Sequence, residues 1–327
     1  MIMKRKTLIS IASVLVGTTL FASCTDMNNK VSFKQYWYRD SGIATLSSET
    51  LSYKVDFEAG TGLSGENGYT LSYNNGNYTT KLSLVNEEGK EFYRYETELT
   101  IDVSYIYNNE TFTAQDSVKT SVDFEKDVAL TPIKSHKELI NHSPLSTAGA
   151  TVNDCYEKYD YTVDITYNGA GGTVVVDNRE IDTDNTTPTA FEIEDSDDYT
   201  YLDNEQLLFA LRGINPSEKS TPSLLVYAPF TKAVQSIKAS FGSKVEGEKF
   251  KFATKGETEA TEKTINYYPV SIAIDSKSPG ATQDLKIATH NDSKTNEWRN
   301  VVLEMKAPVS YSLGTLTYKL VSAEFSE

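Results

Sequence analysis

The sequence predicts a mostly β protein in which a long, curled antiparallel sheet, a half-barrel, packs around one short buried helix. Three observations predict it. The chain of 327 residues carries 21 Tyr and 13 Phe, with abundant Thr and Val, and these residue types fit a pleated, half-buried surface. From Tyr93 to Tyr107 the odd positions read Tyr, Tyr, Thr, Leu, Ile, Val, Tyr, Tyr, while the even positions are polar except for Ile106. One helical pattern stands out, "DNEQLLFALRGIN" at 203–215, and it is apolar almost all round from Leu207 to Ile214. An isolated buried helix in a β protein needs a sheet curved enough to hold it. At about 3.3 Å per residue the Tyr93–Tyr107 strand runs roughly 50 Å, against a usual strand of about 5 to 6 residues. The short strands of an immunoglobulin-like sandwich fit this poorly, and a strand that coils with its sheet fits better.

In chain order, Lys4, Arg5 and Lys6 precede "TLISIASVLVGTTLFA", an uncharged run rich in small residues. That is the layout of a signal peptide, too short and too weakly apolar for a membrane span of about 20 residues. Phe21-Ala22-Ser23-Cys24 then resembles the bacterial lipobox, with Leu20 one place early and Phe21 where an aliphatic residue is usual. The resemblance implies cleavage after residue 23 and a lipid on Cys24, whose diacylglyceryl and palmitate-type chains hold a protein to a membrane durably. Residues 1–23 are therefore expected to be removed, and 24–45 to form the lipidated N-terminus and tether. The aromatics of "FKQYWYRD" in that tether are expected to plug one end of a sheet. The protein is expected in the cell envelope, on the cell membrane or the outer membrane. Thr25 follows the cysteine where an Asp would signal inner-membrane retention.

Cleavage takes away three basic residues and no acidic one, so the formal charge moves from −15 to −18. A surface that acidic repels nucleic acid and bare anionic lipid. With Cys24 acylated, Cys155 has no partner, so stability must come from a packed core and not from a disulfide.

Residues 46–327 are expected to form the half-barrel, with two β domains divided near 142–157 as the alternative. "TLSYKVDF" and "YTLSYNNGNYTTKLSLVNEEGKEFY" give strands separated by Asn-Asn-Gly-Asn and Asn-Glu-Glu-Gly turns. "NNE" at 108–110 turns the long strand back into one that places Phe112, Ala114, Val118, Val122 and Phe124 on a single face, completing a long hairpin. Alternation is lost from Leu130 to Lys158, where His136 and His142 make only a weak zinc signal because no cysteine or carboxylate stands at metal-ligand spacing. Strands resume at "YDYTVDITYN" and "TVVVDN". The acidic segment 181–199, with Asp182, Asp184, Glu194, Asp195, Asp197 and Asp198, offers oxygen ligands of the kind calcium takes, but it lacks the EF-hand Gly and Glu and reads as a solvated loop.

In the helix, Asp203 is placed as N-cap with Gln206 three residues on, a capping box; Leu207, Leu208, Leu211 and Ile214 form the apolar face toward the concave sheet, and Gly213 closes the end. "SLLVYAPFTKAVQSIKASF", "EKFKFATK" and "INYYPVSIAID" supply further strands. A final pair sets Val301, Leu303 and Met305 against Leu316, Tyr318 and Leu320. This order of elements, with the "LTPIKSHK" strand, the "DNEQLLFALRG" helix and the closing "RNVVLEMKAP…LGTLTYKL" hairpin, resembles an uncharacterised family of exported bacterial proteins over roughly 45–325. The resemblance implies a half-barrel around a helix, similar in shape to the lipoprotein carriers that shelter acyl chains. Acidic insertions at 58–68 and 181–199 and the long link at 142–157 depart from that family.

No chemistry stands out. "GTGLSG" at 60–65 is followed by Glu66 where a P-loop needs lysine, and it misses the nucleophile-elbow spacing. No HExxH is present, and a pair of glycosidase carboxylates would be close in space and not in sequence. The expectation is a non-enzymatic protein with no cofactor, whose partners are a membrane through Cys24 and a lipid-like small molecule or an envelope partner. A curved sheet with a spare apolar concavity would favour a ligand carrier. A helix that fills the concavity would favour a structural role. The alternative is a surface module for glycan or protein, favoured if Tyr73, Tyr78, Tyr267 and Tyr268 lie exposed in a patch.

Overall fold

In a computed structural model, the structure describes residues 31, 33, 47–61, 68–127, 129–180, 186–214, 222–274, 282–289 and 298–326. Sixteen strands form one sheet among these residues. The first eight are β1 (Ser48–Ala59), β2 (Thr70–Glu87), β3 (Lys90–Tyr107), β4 (Glu110–Phe124), β5 (Pro132–Pro144), β6 (Tyr156–Tyr167), β7 (Gly171–Asn178) and β8 (Thr189–Glu192). They pair in sequence order as an antiparallel meander. The rest are β9 (Thr200–Leu202), β10 (Ser223–Ala228), β11 (Ala233–Phe241), β12 (Val245–Thr254), β13 (Thr261–Ile274), β14 (Gln283–Thr289), β15 (Val302–Val309) and β16 (Gly314–Ser326), with the helix α1 (Leu207–Leu211) between β9 and β10.

The long alternating strand is β3, with Tyr93, Tyr95, Leu99, Ile101, Val103 and Tyr105 all buried. At about 3.3 Å per residue its 18 residues reach roughly 60 Å. Ile106, the residue that broke the polar face, is 44% exposed. Asn108 and Asn109 take positive φ of 51° and 64° in the turn that follows, the left-handed pair that a tight hairpin favours.

Two expected features differ. Asn74-Asn75-Gly76-Asn77 is a bulge inside one continuous β2, where the pairing with β3 jumps from Asn74 to Asn77 and Asn75 sits at φ 52°. Gly76 is required there because a Cβ would lie 2.6 Å from the Val55 Cβ on β1. The stretch 132–144, without visible alternation in the sequence, is a full strand, paired with β4 from Pro132 to Ile140 and with β6 from Lys134 to Pro144. Its inward positions include Ser135, Lys137 and Asn141, all buried and all polar, which hid the period. β5 and β6 pair up to Pro144 and Tyr156 on either side of the 142–157 link, so one sheet runs through it.

The chain's last part closes on itself. β12 pairs with β13, then β14, β15 and β16 follow, and Ala253 and Thr254 of β12 pair in parallel with Ser322 and Ala323 of β16. This makes a closed ring of five strands. β16 also pairs with β1, which joins the ring to the meander.

The sheet ends at β8 on one side and β9 on the other, and the meander curls until β8 and β6 meet β10 and the turn after it through side chains. Phe191 of β8 stacks on Tyr227 of β10 with ring centroids 4.0 Å apart, and Tyr161 of β6 meets Phe230 edge-on at 4.4 Å. Both edge strands are very short, one way of protecting a sheet edge. Inside the curl lies α1, near the end where β1 and β3 start and β4 and β6 finish. Its Phe209 packs on Tyr95 and Phe124 at 5.2 and 5.3 Å. That end, with turns at Glu88–Gly89, 125–131 and 168–170, is called the helix end below; the far end carries Asn108–Asn109 and the 145–155 link. Phe33 docks at the helix end through an isolated bridge to Ile214, and the Val31 N–H donates to Thr200 Oγ1 at 2.9 Å.

The outer face is charged. Cross-strand pairs such as Lys119 with Glu98 (3.1 Å), Lys90 with Glu125 (2.8 Å) and Lys319 with Asp56 (3.2 Å) run across it, each worth at most about 1 kcal/mol in water. A membrane-spanning barrel presents an apolar band there instead. No described helix is long and apolar enough to cross a membrane.

Candidate functional site

The concave interior around α1 is the place where a ligand would sit. Leu207 and Leu211 are buried there, Ile214 is buried against Phe33, and Leu208 is half-buried. Leu208 shares the lining of a small pocket with Tyr53, Tyr78, Tyr95, Tyr318 and Arg212. That space is about 20 Å³, room for roughly one water molecule. Among the described residues, α1 and the tyrosines of β1 to β3 and β16 occupy the concavity.

Arg212, which is 2% exposed, makes a two-pronged ion pair with Glu49, 1% exposed, at 2.6 and 2.8 Å. Its remaining donors reach the carbonyls of Asn300 (3.1 Å) and Arg299 (2.9 Å), and the Asn300 amide returns a bond to the Arg212 carbonyl at 2.7 Å. Burial works against the guanidinium charge, but the carboxylate beside it outweighs burial and raises the Arg212 pKa. The same burial pushes the Tyr95 hydroxyl up to about 12. The pair ties the end of α1 to β1 and to the turn before β15. Glu49 stands in phase with Leu51, Tyr53 and Val55 on the buried face of β1, so a charged residue on an apolar stripe was its signal in the sequence.

A second polar cluster holds the start of α1. Asp203 accepts from the Glu205 N–H at 2.8 Å, from Ser135 Oγ at 2.5 Å and from the Tyr167 hydroxyl at 2.7 Å, and Lys137 pairs with Glu205 at 3.0 Å. The N-cap is as expected, but the capping box is not. Gln206 points away and donates to the Leu130 carbonyl at 2.8 Å, because a 3-10 turn at Asn204–Gln206 precedes the helix proper. Burial raises the Asp203 pKa, with Glu205 adding to it. An acid whose folded value lies above its unfolded one stabilises the fold at low pH, and that contribution is lost as pH rises through its titration. Asp203→Asn is therefore expected to gain on the native protein as pH rises above the ordinary value of 3.8; urea midpoints of both proteins at pH 4 and pH 7 check it, and a constant difference contradicts it.

The third cluster lies toward the far end. Asp116 accepts from His142 Nδ1 (2.7 Å) and from the His142 N–H (3.0 Å), under the rings of Phe112 and Tyr156. Burial raises the Asp116 pKa. Asp116 too stands in phase with apolar residues, between Ala114 and Val118.

The other expected sites do not assemble. His136 faces outward and pairs with Asp164 at 2.7 Å, while His142 is buried six residues along the same strand, about 20 Å away; the two share no metal. His290, Asp182, Asp184 and Cys24 lie outside the described residues. Glu194, Asp195, Asp197 and Asp198 are exposed, and no three described His, Cys, Asp or Glu side chains gather at metal-binding distance. Cys155 is buried, and burial raises its thiol pKa, which makes it a poor nucleophile. Tyr73, Tyr78 and Tyr267 are buried and Tyr268 is half-buried, so they form no exposed aromatic patch; their hydrophobic faces are spent on the core.

No protein family matches this chain, and neither does any curated protein. A solved structure does: a β-barrel-like protein of the domain of unknown function DUF1849 from Brucella abortus, with a TM-score of 0.51 at 11% identity, covering 86% of this chain and 99% of that one. At that identity the likeness is one of fold, a barrel-like β architecture.

Proposed function

We propose that this is a lipid-anchored, non-enzymatic protein of the cell envelope whose curled sheet serves a structural role, with its concavity used as core. The observation that carries this reading is the packed interior: among the described residues, the pockets that α1, Arg212 and the tyrosines line beside the helix are about 20 and 10 Å³. An acyl chain needs many times that. The charged outer face supports a body that stands in water and is held at a membrane by its anchor instead of spanning it.

One observation favours a second reading, in which the protein takes up an apolar ligand. β8 and β6 meet β10 and the turn after it through the Phe191–Tyr227 and Tyr161–Phe230 ring contacts, and no strand ladder joins them among the described residues, so the curl has a seam whose parting breaks side-chain contacts, the Tyr167–Asp203 hydrogen bond included, but no sheet hydrogen bonds.

The anchor is tested by fractionation. The native protein is expected in the membrane fraction, extractable by detergent but not by high salt, and Cys24→Ser is expected in the soluble fraction. A Cys24→Ser protein that stays with the membrane contradicts the anchor.

A further inference from the structure

The way the N-terminal segment docks sets an orientation. Val31 and Phe33 are held at the helix end, by Thr200 on β9 and by Ile214 just beyond α1. Phe33 is 9% exposed and belongs to the core. Seven peptide steps separate Cys24 from Val31, a reach of at most about 25 Å. From Cys24 to Ser47 the same count is twenty-three steps, or about 80 Å, and an undocked chain of that length lets the body tumble freely. The far end, at Asn108–Asn109, lies a strand length of roughly 60 Å from the helix end, beyond the docked tether's reach.

Resting on the lipid anchor proposed above, we propose that the helix end is the membrane-facing surface and that the turn at Asn108–Asn109 and the 145–155 link point away from the bilayer. The partner is a lipid surface, and the tether sets the contact, not charge attraction. With 46 acidic residues against 31 basic ones in the whole chain, the body gains nothing from anionic headgroups. The orientation is therefore expected to be the same on neutral lipid and at high salt.

The test uses the full lipidated protein in phosphatidylcholine vesicles that carry spin-labelled headgroups. A thiol-directed fluorophore is placed at the helix end in Glu88→Cys or at the far end in Asn109→Cys; Cys155 is buried and does not compete. Quenching at position 88 is expected to exceed that at position 109 severalfold. Lengthening the tether by twenty Gly and Ser residues between Asn28 and Asn29, or undocking it with Phe33→Asp, is expected to erase the difference. Equal or reversed quenching in a lipidated protein overturns the orientation alone, and so does a difference that survives the longer tether. A chain whose intact mass lacks a lipid increment on Cys24 overturns the anchor, and the orientation with it.

Discussion

Arg212→Ala is expected to destabilise the protein by about 3 to 5 kcal/mol, because it leaves the Glu49 carboxylate buried without its partner. The size follows from burial. Exposed pairs such as Lys119 with Glu98 lose little when broken, whereas neither member of this pair has water to turn to. The loss is expected to be far from additive with a change at Glu49. Replacing both together, Arg212→Met with Glu49→Leu, removes the charges and keeps apolar volume, and it is expected to recover most of the stability. Urea midpoints of the two single variants and the double variant check this. Losses that simply add would mean the pair is not the link between α1 and β1 described above.

Phe209→Ala is expected to cost about 3 to 5 kcal/mol, the range for truncating a fully buried aromatic residue in a core that relaxes only partly. Phe209 is wholly buried, wedged between Tyr95 and Phe124. Leu208→Ala, on the half-buried side of the same helix, is expected to cost clearly less. Thermal or chemical denaturation of the two variants side by side measures the contrast. A similar loss for both would mean that α1 is not seated on the sheet through Phe209.

The sheet was legible where burial obeys period two. β3 shows it best, and the β3–β4 hairpin and the closing β15–β16 pair follow the same rule. It was illegible where the interior is polar. β5 turns Ser135, Lys137 and Asn141 inward; the first two find partners in a distant segment, Asp203 and Glu205, and the third in Asp116 on the neighbouring strand. No local pattern records that. The closure of the five-strand ring depends on two residue pairs between β12 and β16, about seventy positions apart in the chain, and such a contact leaves no periodic trace.

The helix was found from its apolar run, and its arginine, the exception in that run, proved to be the chemical centre of the interior. Two charges of opposite sign, each in phase with apolar neighbours, were the signal for Glu49 and Arg212. A single charge of that kind stands at Asp116, whose partner His142 sits on the neighbouring strand. The Asn-Asn-Gly-Asn sequence looked like a turn because turns and bulges call on the same residues; the continued pairing of β2 on both sides decides between them.

The central claim, that the concavity is core and not a ligand site, is tested most directly by native mass spectrometry of residues 25–327 after incubation with an envelope lipid extract. The bare protein mass is expected, unchanged from the denatured one. A lipid-sized adduct that is lost on denaturation would contradict it and show that the seam between β8 and β10 opens to admit a ligand.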